Sequence, residues 1–253
     1  MVQLTDSHLT SRLPRVPPVE FSDAVHLLTG RTANDATSSV WSKIAEAEPS
    51  AELVLHTGDI ADDQTLETYK TAEALLEGLA IPVMVTPGNH DDPKLVGQVF
   101  GDRAALTARA TDAGGWRIIL ASSWDEGNHG GTFTDGTLAE LDRLLDFDGP
   151  ILVGTHHPPL SPCSHPDCTN RRSAEFLSMI DSHQNVKAVV AGHLHLCDEI
   201  GRRGVRHFIS PSSALQLSHV HPLEDNNSQS TPAGARLLDL NPDGSIDTEI
   251  VWA

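Results

Sequence analysis

Thr86-Pro87-Gly88-Asn89-His90-Asp91-Asp92 decides how the rest of the chain is read. It follows Ile81-Pro82-Val83-Met84-Val85, a short apolar run that predicts a buried strand, and Pro87 and Gly88 then turn the chain sharply. Asn89, His90 and Asp91 are thereby delivered together at a strand end, where open α/β sheets carry their chemistry. An amide oxygen can ligate a cation, a histidine can donate a proton, and a carboxylate behind it can fix the histidine's tautomer. Taken alone, the stretch reads equally well as a polar turn without function.

Other strand ends repeat the pattern. Val2 to Thr5 runs into Asp6-Ser7-His8, and on extended backbone residues two apart share a side, so Asp6 and His8 are expected to converge on one ion. The strand ahead of them is short, as in a chain whose native start lies upstream of Met1. Glu52 to Thr57 leads into Gly58-Asp59, where the glycine allows a close turn and the carboxylate can bridge two cations. Asp62 is expected to orient a ligand rather than bind a cation itself. Ile151 to Thr155 ends in His156-His157-Pro158-Pro159; the prolines stiffen the turn and make His156 a candidate ligand, with His157 behind it or facing substrate. Val186 to Ala191 closes in Gly192-His193-Leu194-His195, two more imidazoles two apart.

Composition sets the frame for these clusters. A chain of 253 residues with 39% hydrophobic and 21% charged content fits one sizeable α/β domain covering 1–253. The formal charge of -18 argues against nucleic acid as a partner, because phosphates are repelled unless bound cations reverse the local field. No stretch has the apolar length of a membrane span and no basic, apolar leader opens the chain, so a cytoplasmic protein without a membrane partner is expected. Three cysteines argue against a disulfide framework, although Cys163 and Cys168 are close enough in sequence to pair.

Periodicity predicts helices over Asp35 to Glu48, capped by Asn34 or Asp35, and over Thr65 to Leu79, Thr137 to Phe147 and Ser173 to His183. Trp116 to Ala121 reads as a further strand, and Val205 to Ser210, Ala235 to Leu240 and Ile246 to Trp252 as an antiparallel set. Leu9 to Asn34 reads as a long loop beside the site, whereas His219 and His221 lie in a polar loop running to Pro232 that is expected to be solvent-exposed rather than to touch substrate. Ser161 to Arg172, with Cys163, His165, Asp167 and Cys168, is readable as a zinc knuckle, a local disulfide or, as expected here, an ordinary lid loop.

Asp-x-His, Gly-Asp, Gly-Asn-His-Asp, His and Gly-His-x-His stand here in order, and in this the chain resembles the calcineurin-like metallophosphoesterase superfamily. It is most similar to the class III cyclic nucleotide phosphodiesterases, through Thr5 to Leu9, Gly58 to Asp62, Gly88 to Asp92 and His156 to Pro159. The resemblance implies an α/β four-layer α-β-β-α sandwich of two mixed β-sheets flanked by helices, with the motifs in residues 2–215 and the strands of 216–253 completing the second sheet. It implies two metal ions: Asp6, His8 and His195 on one, Asn89, His156 and His193 on the other, and Asp59 bridging them. Nitrogen and oxygen donors suit Fe, Mn or Zn better than Ca or Mg.

Catalysis by in-line attack of a metal-bridging hydroxide is then expected, with His90, oriented by Asp91, stabilising charge or protonating the leaving oxygen. The substrate implied is a small phosphodiester, foremost a 3′,5′-cyclic nucleotide such as cyclic AMP. A glycerophosphodiester, a broad range of phosphoesters, and a non-catalytic scaffold are the other readings, and a homodimer is compatible with the resemblance.

Overall fold

The computed structural model describes residues 1–14, 22, 25, 31–47, 50–216 and 232–253. β1 (Val2–Leu4), β2 (Val54–His56) and β3 (Val83–Val85) are parallel neighbours. On the other side of β1 lie β10 (Gly234–Leu240), antiparallel to it, and β11 (Ile246–Trp252), giving a sheet of order β11-β10-β1-β2-β3. The second sheet contains β4 (Ala108–Ala113), β5 (Trp116–Ala121), β6 (Ile151–Gly154), β7 (Val186–Ala191), β8 (Asp198–Arg202) and β9 (Val205–Ile209) in the order β4-β5-β6-β7-β9-β8.

Side-chain alternation builds the layers. Val54, Val83 and Val85 pack outward against α1 (Ala33–Ala47), α2 (Leu66–Glu77) and α3 (Pro93–Phe100), through Val40 and Ile44, Tyr69 and Leu76, and Phe100. Leu55 and Met84 point the other way and meet Ile118, Leu120, Leu152, Val190 and Phe208 of the second sheet. That sheet's far face packs on α4 (Asp135–Leu145) and α5 (Ser173–Ser182) through Leu138, Leu141, Phe176 and Ile180. Two mixed sheets between helices result, as expected from the resemblance. Among the described residues no helix is long and apolar enough to cross a membrane.

At one end the inter-sheet layer turns polar. Gln3, fully buried, donates to Thr57 Oγ1 at 3.0 Å and the Ala191 carbonyl at 3.2 Å, and accepts from Ser210 Oγ at 2.6 Å. Arg236 donates to Ser210 Oγ and the Ile209 carbonyl. A buried amide costs stability only when unpaired, so this seam ties the sheets together without that penalty.

Several expectations change. β9 runs parallel to β7 and antiparallel to β8, so only β10 and β11 form the expected antiparallel pair. That C-terminal pair extends the sheet of β1 rather than completing the second one. β4 (ARATDA) and β8 (DEIGR) are edge strands, half exposed and poor in β-formers, and therefore silent to an apolar-run reading. α3 is only 8 residues long, announced by the Asp92 N-cap and Pro93 at its start. α1 starts earlier than expected, because Thr32 Oγ1 accepts from the Asp35 N–H while the Asp35 carboxylate accepts from the Thr32 hydroxyl and N–H.

His207 on β9 is 3% exposed, and neither ring nitrogen has a hydrogen-bond partner among the described residues. Burial, aided by the charge of Arg202, pushes its pKa down from 6.5 to about 4. The folded protein therefore refuses a proton that the unfolded chain takes up below pH 6.5, and stability falls from there towards pH 4. Unfolding free energies from urea at pH 6.5 and 5.5 are predicted to show a smaller acid loss in His207→Leu than in wild type, by about 1 kcal/mol. Equal losses in both proteins would show that His207 is protonated within the fold.

Candidate metal centre

Loops after β1, β2, β3, β6 and β7 meet at one edge of the two sheets, and backbone hydrogen bonds lock them together. Asp6 N donates to Gly58 O at 2.9 Å, His8 N to Asp59 O at 3.0 Å, and Gly192 N to His156 O at 3.0 Å. The strands stop short of the candidate ligands, and the expected extended geometry at Asp6-x-His8 and His193-x-His195 is not what brings them together. Asp6, His8, Asp59, His193 and His195 all have left-handed backbone, with φ between 44° and 70°. Such conformations cost about 1–3 kcal/mol each and persist only where surrounding structure enforces them.

Close packing provides the enforcement. Gly58 has φ 105°, and a Cβ there would lie 2.6 Å from His156 Nδ1; a Cβ on Gly192 would overlap Thr5 Oγ1. Asp6 accepts from the His193 N–H through both carboxylate oxygens, at 3.1 and 3.0 Å, and so joins the loops of the two sheets.

Two clusters of side chains result. In one, His8 Nε2 lies 3.2 Å from His195 Nε2 and 3.7 Å from Asp59 Oδ2, and His195 Nε2 is 3.3 Å from Asp6 Oδ1. In the other, His156 Nε2 lies 3.0 Å from Asn89 Oδ1 and 3.3 Å from the same Asp59 Oδ2, with the His193 ring 5.1 Å from the His156 ring. Asp59 therefore stands between the two sets, as a bridging carboxylate must.

The opposite ring nitrogens fix what the inner ones are. His8 Nδ1 faces Asp62 Oδ1 at 3.1 Å, His156 Nδ1 the Thr57 carbonyl at 2.9 Å, His195 Nδ1 the Leu215 carbonyl at 2.9 Å, and His193 Nε2 the Asp167 carbonyl at 2.6 Å. Oxygen acceptors in these places require N–H on those nitrogens, so in each neutral ring a bare lone pair faces inward. Lone pairs of His8 and His195 then oppose each other at 3.2 Å, and that of His156 opposes two oxygens. Such arrangements repel unless positive charge lies between them. The residues fit a pair of cations.

The electrostatics agree. Burial alone would raise Asp59 and Asp6, but neighbouring imidazoles, His156 for Asp59 and His195 for Asp6, hold both well below the usual carboxylate range. Burial should lower His156, yet the field of Asp59 pushes it up to about 9. Positive charge is favoured at this position whether a proton or a metal carries it.

His90 sits beside the clusters, half-buried, and its partner is not the one expected. Its Nδ1 lies 3.0 Å from Asp62 Oδ1, while Asp91 turns away to accept from the N–H groups of Ile60, Ala61 and Gly88 and from the Tyr69 hydroxyl. Neighbours in a tight turn diverge, so sequence adjacency misleads here. Asp91 clamps the Gly58-Asp59 loop to the Gly88-Asn89 loop, and Asp62 serves both His8 and His90. Burial opposes charge on His90, but Asp59 and Asp62 push its pKa up to about 9. His157 lies in ligand range of His156 and His193, yet its nitrogens are engaged by Ser123 Oγ at 2.8 Å and the His129 carbonyl at 3.0 Å. It stands behind the cluster.

Sequence reasoning missed the backbone carbonyls of Thr57, Asp167 and Leu215, which no residue type announces, and Tyr69, whose hydroxyl also accepts from Asp92 N at 2.8 Å. The segment Ser161 to Arg172 is more than an ordinary loop: Cys163 and Cys168 form a disulfide, with Cα atoms 5.9 Å apart, and between them lies the Asp167 carbonyl that holds His193. His219 and His221 lie outside the described residues.

The calcineurin-like phosphoesterase profile matches residues 1–197. The chain belongs to this family. It is 30% identical over 99% of its length, and 91% of the relative's, to a 3′,5′-cyclic-nucleotide phosphodiesterase of Nostoc sp.. It is also 29% identical, over 99% of this chain and 88% of the other, to a 3′,5′-cyclic adenosine monophosphate phosphodiesterase of Pseudomonas aeruginosa. In fold it is similar to a dimetal phosphatase from Danio rerio, with TM-score 0.67 and 16% identity over 99% of this chain and 98% of that one.

The two aspartates predict opposite phenotypes. Asp91→Ala strands three buried N–H groups and a phenol, and should lower the unfolding free energy of chelator-treated protein by about 3 kcal/mol. Asp62→Ala should instead weaken Mn or Zn binding about 10–100-fold, read by competition with a chromophoric chelator. If the two effects are interchanged, the assignment of clamp and orienter is wrong.

Proposed function

We propose that this protein is a dinuclear-metal phosphodiesterase that opens 3′,5′-cyclic nucleotides, cyclic AMP foremost, to the 5′-monophosphate. One observation carries the reading: two clusters of inward-facing acceptors share Asp59, with the imidazole of His90 beside them. The named activities of the Nostoc and Pseudomonas relatives support the choice of substrate.

Asp6, His8 and His195 would hold one cation, Asn89, His156 and His193 the other, and Asp59 both. With nitrogen and oxygen donors and no thiolate, Fe, Mn or Zn is favoured over Ca or Mg. Bound, such a pair supplies positive charge to the phosphoryl oxygens and lowers the pKa of water. The protein's own part is to hold these donors rigidly and to keep a proton near the departing oxygen. His90, whose pKa Asp59 and Asp62 raise, would carry that proton. It would give it to the 3′ oxygen as water's oxygen bonds to phosphorus and the P–O bond breaks. Asp62 keeps the ring in position through Nδ1, leaving Nε2 as the donor. We take the enzyme to act in the cytoplasm.

Metal-stripped protein is predicted to be inactive and to regain activity on loading with Mn or Fe. With cyclic AMP, glycerophosphocholine, bis(p-nitrophenyl) phosphate and p-nitrophenyl phosphate assayed side by side, cyclic AMP should give the highest kcat/KM. His90→Ala should retain its metal and lose about 10²-fold or more in kcat. Turnover of the activated aryl esters alone would leave the metal chemistry standing and remove the cyclic nucleotide assignment.

A further inference from the structure

Beside the clusters opens a cleft of about 640 Å³, lined by Asn89, Gln64, Lys94, Trp124, Asn128 and His129 among others. None of these except Asn89 belongs to the ligand sets above. Asn89 is common to both, so the cleft adjoins the metal centre. The volume is in the range that encloses a small organic ligand.

The walls are fixed in advance. Trp124 is half-buried, and its indole N–H donates to the Asp91 carbonyl at 3.1 Å, so the ring is tied to the loop that carries Asn89. Gln64 Nε2 donates to the His90 carbonyl at 2.8 Å, and Asn128 Nδ2 to the Glu126 carbonyl at 3.0 Å. His129 is held through its carbonyl by His157 Nε2, and its ring lies 6.3 Å from that of His90. Gly131 N donates to Thr169 O at 3.0 Å, and Arg171 pairs with Asp125, so the loop is braced from outside as well.

The charge on the walls narrows the occupant. Asp91, Asp92 and Glu126 line it together with a single lysine, Lys94, among the described residues, a balance that disfavours a second phosphate. An aromatic face with fixed amides around it suits an uncharged flat heterocycle. Resting on the phosphodiesterase reading above, we infer that this cleft is the nucleoside subsite, with the base stacked on Trp124 and the cyclic phosphate at the metal centre.

The test uses the full, metal-loaded chain and two product-like inhibitors. AMP reads the cleft together with the metal centre, and inorganic phosphate reads the metal centre alone. A stacked base is worth about 1–3 kcal/mol, so Trp124→Ala should raise the Kd for AMP by calorimetry, and the KM for cyclic AMP, about tenfold. The Ki for inorganic phosphate should stay unchanged, and Trp124→Phe should restore most of the AMP affinity. If Trp124→Ala fails to fold, Trp124→Leu carries the same expectation. A parallel loss of phosphate affinity would overturn the inference, since Trp124 would then act only by holding Asp91 and the metal loop. So would unchanged AMP affinity, or a wild type that prefers glycerophosphocholine and loses that preference in Trp124→Ala. AMP binding is measured without turnover, so a wild type inactive on every cyclic nucleotide would sink the activity while the AMP and phosphate affinities still decide the subsite.

Discussion

Four backbone or carboxylate oxygens, standing behind four histidines, set the character of this edge of the molecule. By claiming the outer nitrogens of His8, His156, His193 and His195, they leave each neutral ring with its lone pair facing inward. Two imidazole nitrogens 3.2 Å apart without a proton between them are tolerable only around a positive charge. The site is thus specified as much by hydrogen bonds pointing outward as by ligands pointing inward, and this is why its outer contacts carry weight. A fold that satisfies those oxygens has already decided what its interior must attract.

That specification has a conformational cost. Five candidate ligands take left-handed backbone, which short parallel strands do not provide on their own. The strands deliver the chain, and the loops then turn through glycine-tight contacts, with Asp91 bonded to three backbone N–H groups and Asp6 bracing the loop of the opposite sheet. Burial of Gln3 between the sheets, with each of its polar ends paired, holds the two halves in register directly beneath this edge. Strain at the centre and rigidity under it are two aspects of one arrangement.

Much of this was legible because buried strands are apolar runs and their ends are abrupt. β5, β7 and β11 fall where the pattern puts them, and every strand that ends in a candidate ligand was visible. The edge strands β4 and β8 were not, since a strand with one exposed side and charged residues looks like a loop. At the site, residue types and their order were readable, but partnerships were not. Asp91 follows His90 directly yet bonds elsewhere, while Asp62, 28 positions earlier, holds the imidazole. Carbonyl partners such as Thr57 and Leu215 have no signature at all, because every residue has one.

Charge links the site to the acidic whole. The chain carries a formal charge of -18, which should repel an anionic ester at long range. Among the residues that would hold the cations only Asp6 and Asp59 carry negative charge, since Asn89 and the histidines are neutral donors. Two divalent ions would more than offset the charge of those two carboxylates. Asp62 is kept ionised by two imidazoles and works behind them, whereas Asp91, with its pKa raised to about 6 by burial and by Asp59, is held within backbone N–H groups away from the cations. The positive region is consequently small and surrounded by negative surface, including the acidic walls of the adjoining cleft. An ester with a single phosphate and an uncharged remainder satisfies both regions at once; one with phosphate at each end satisfies only the first.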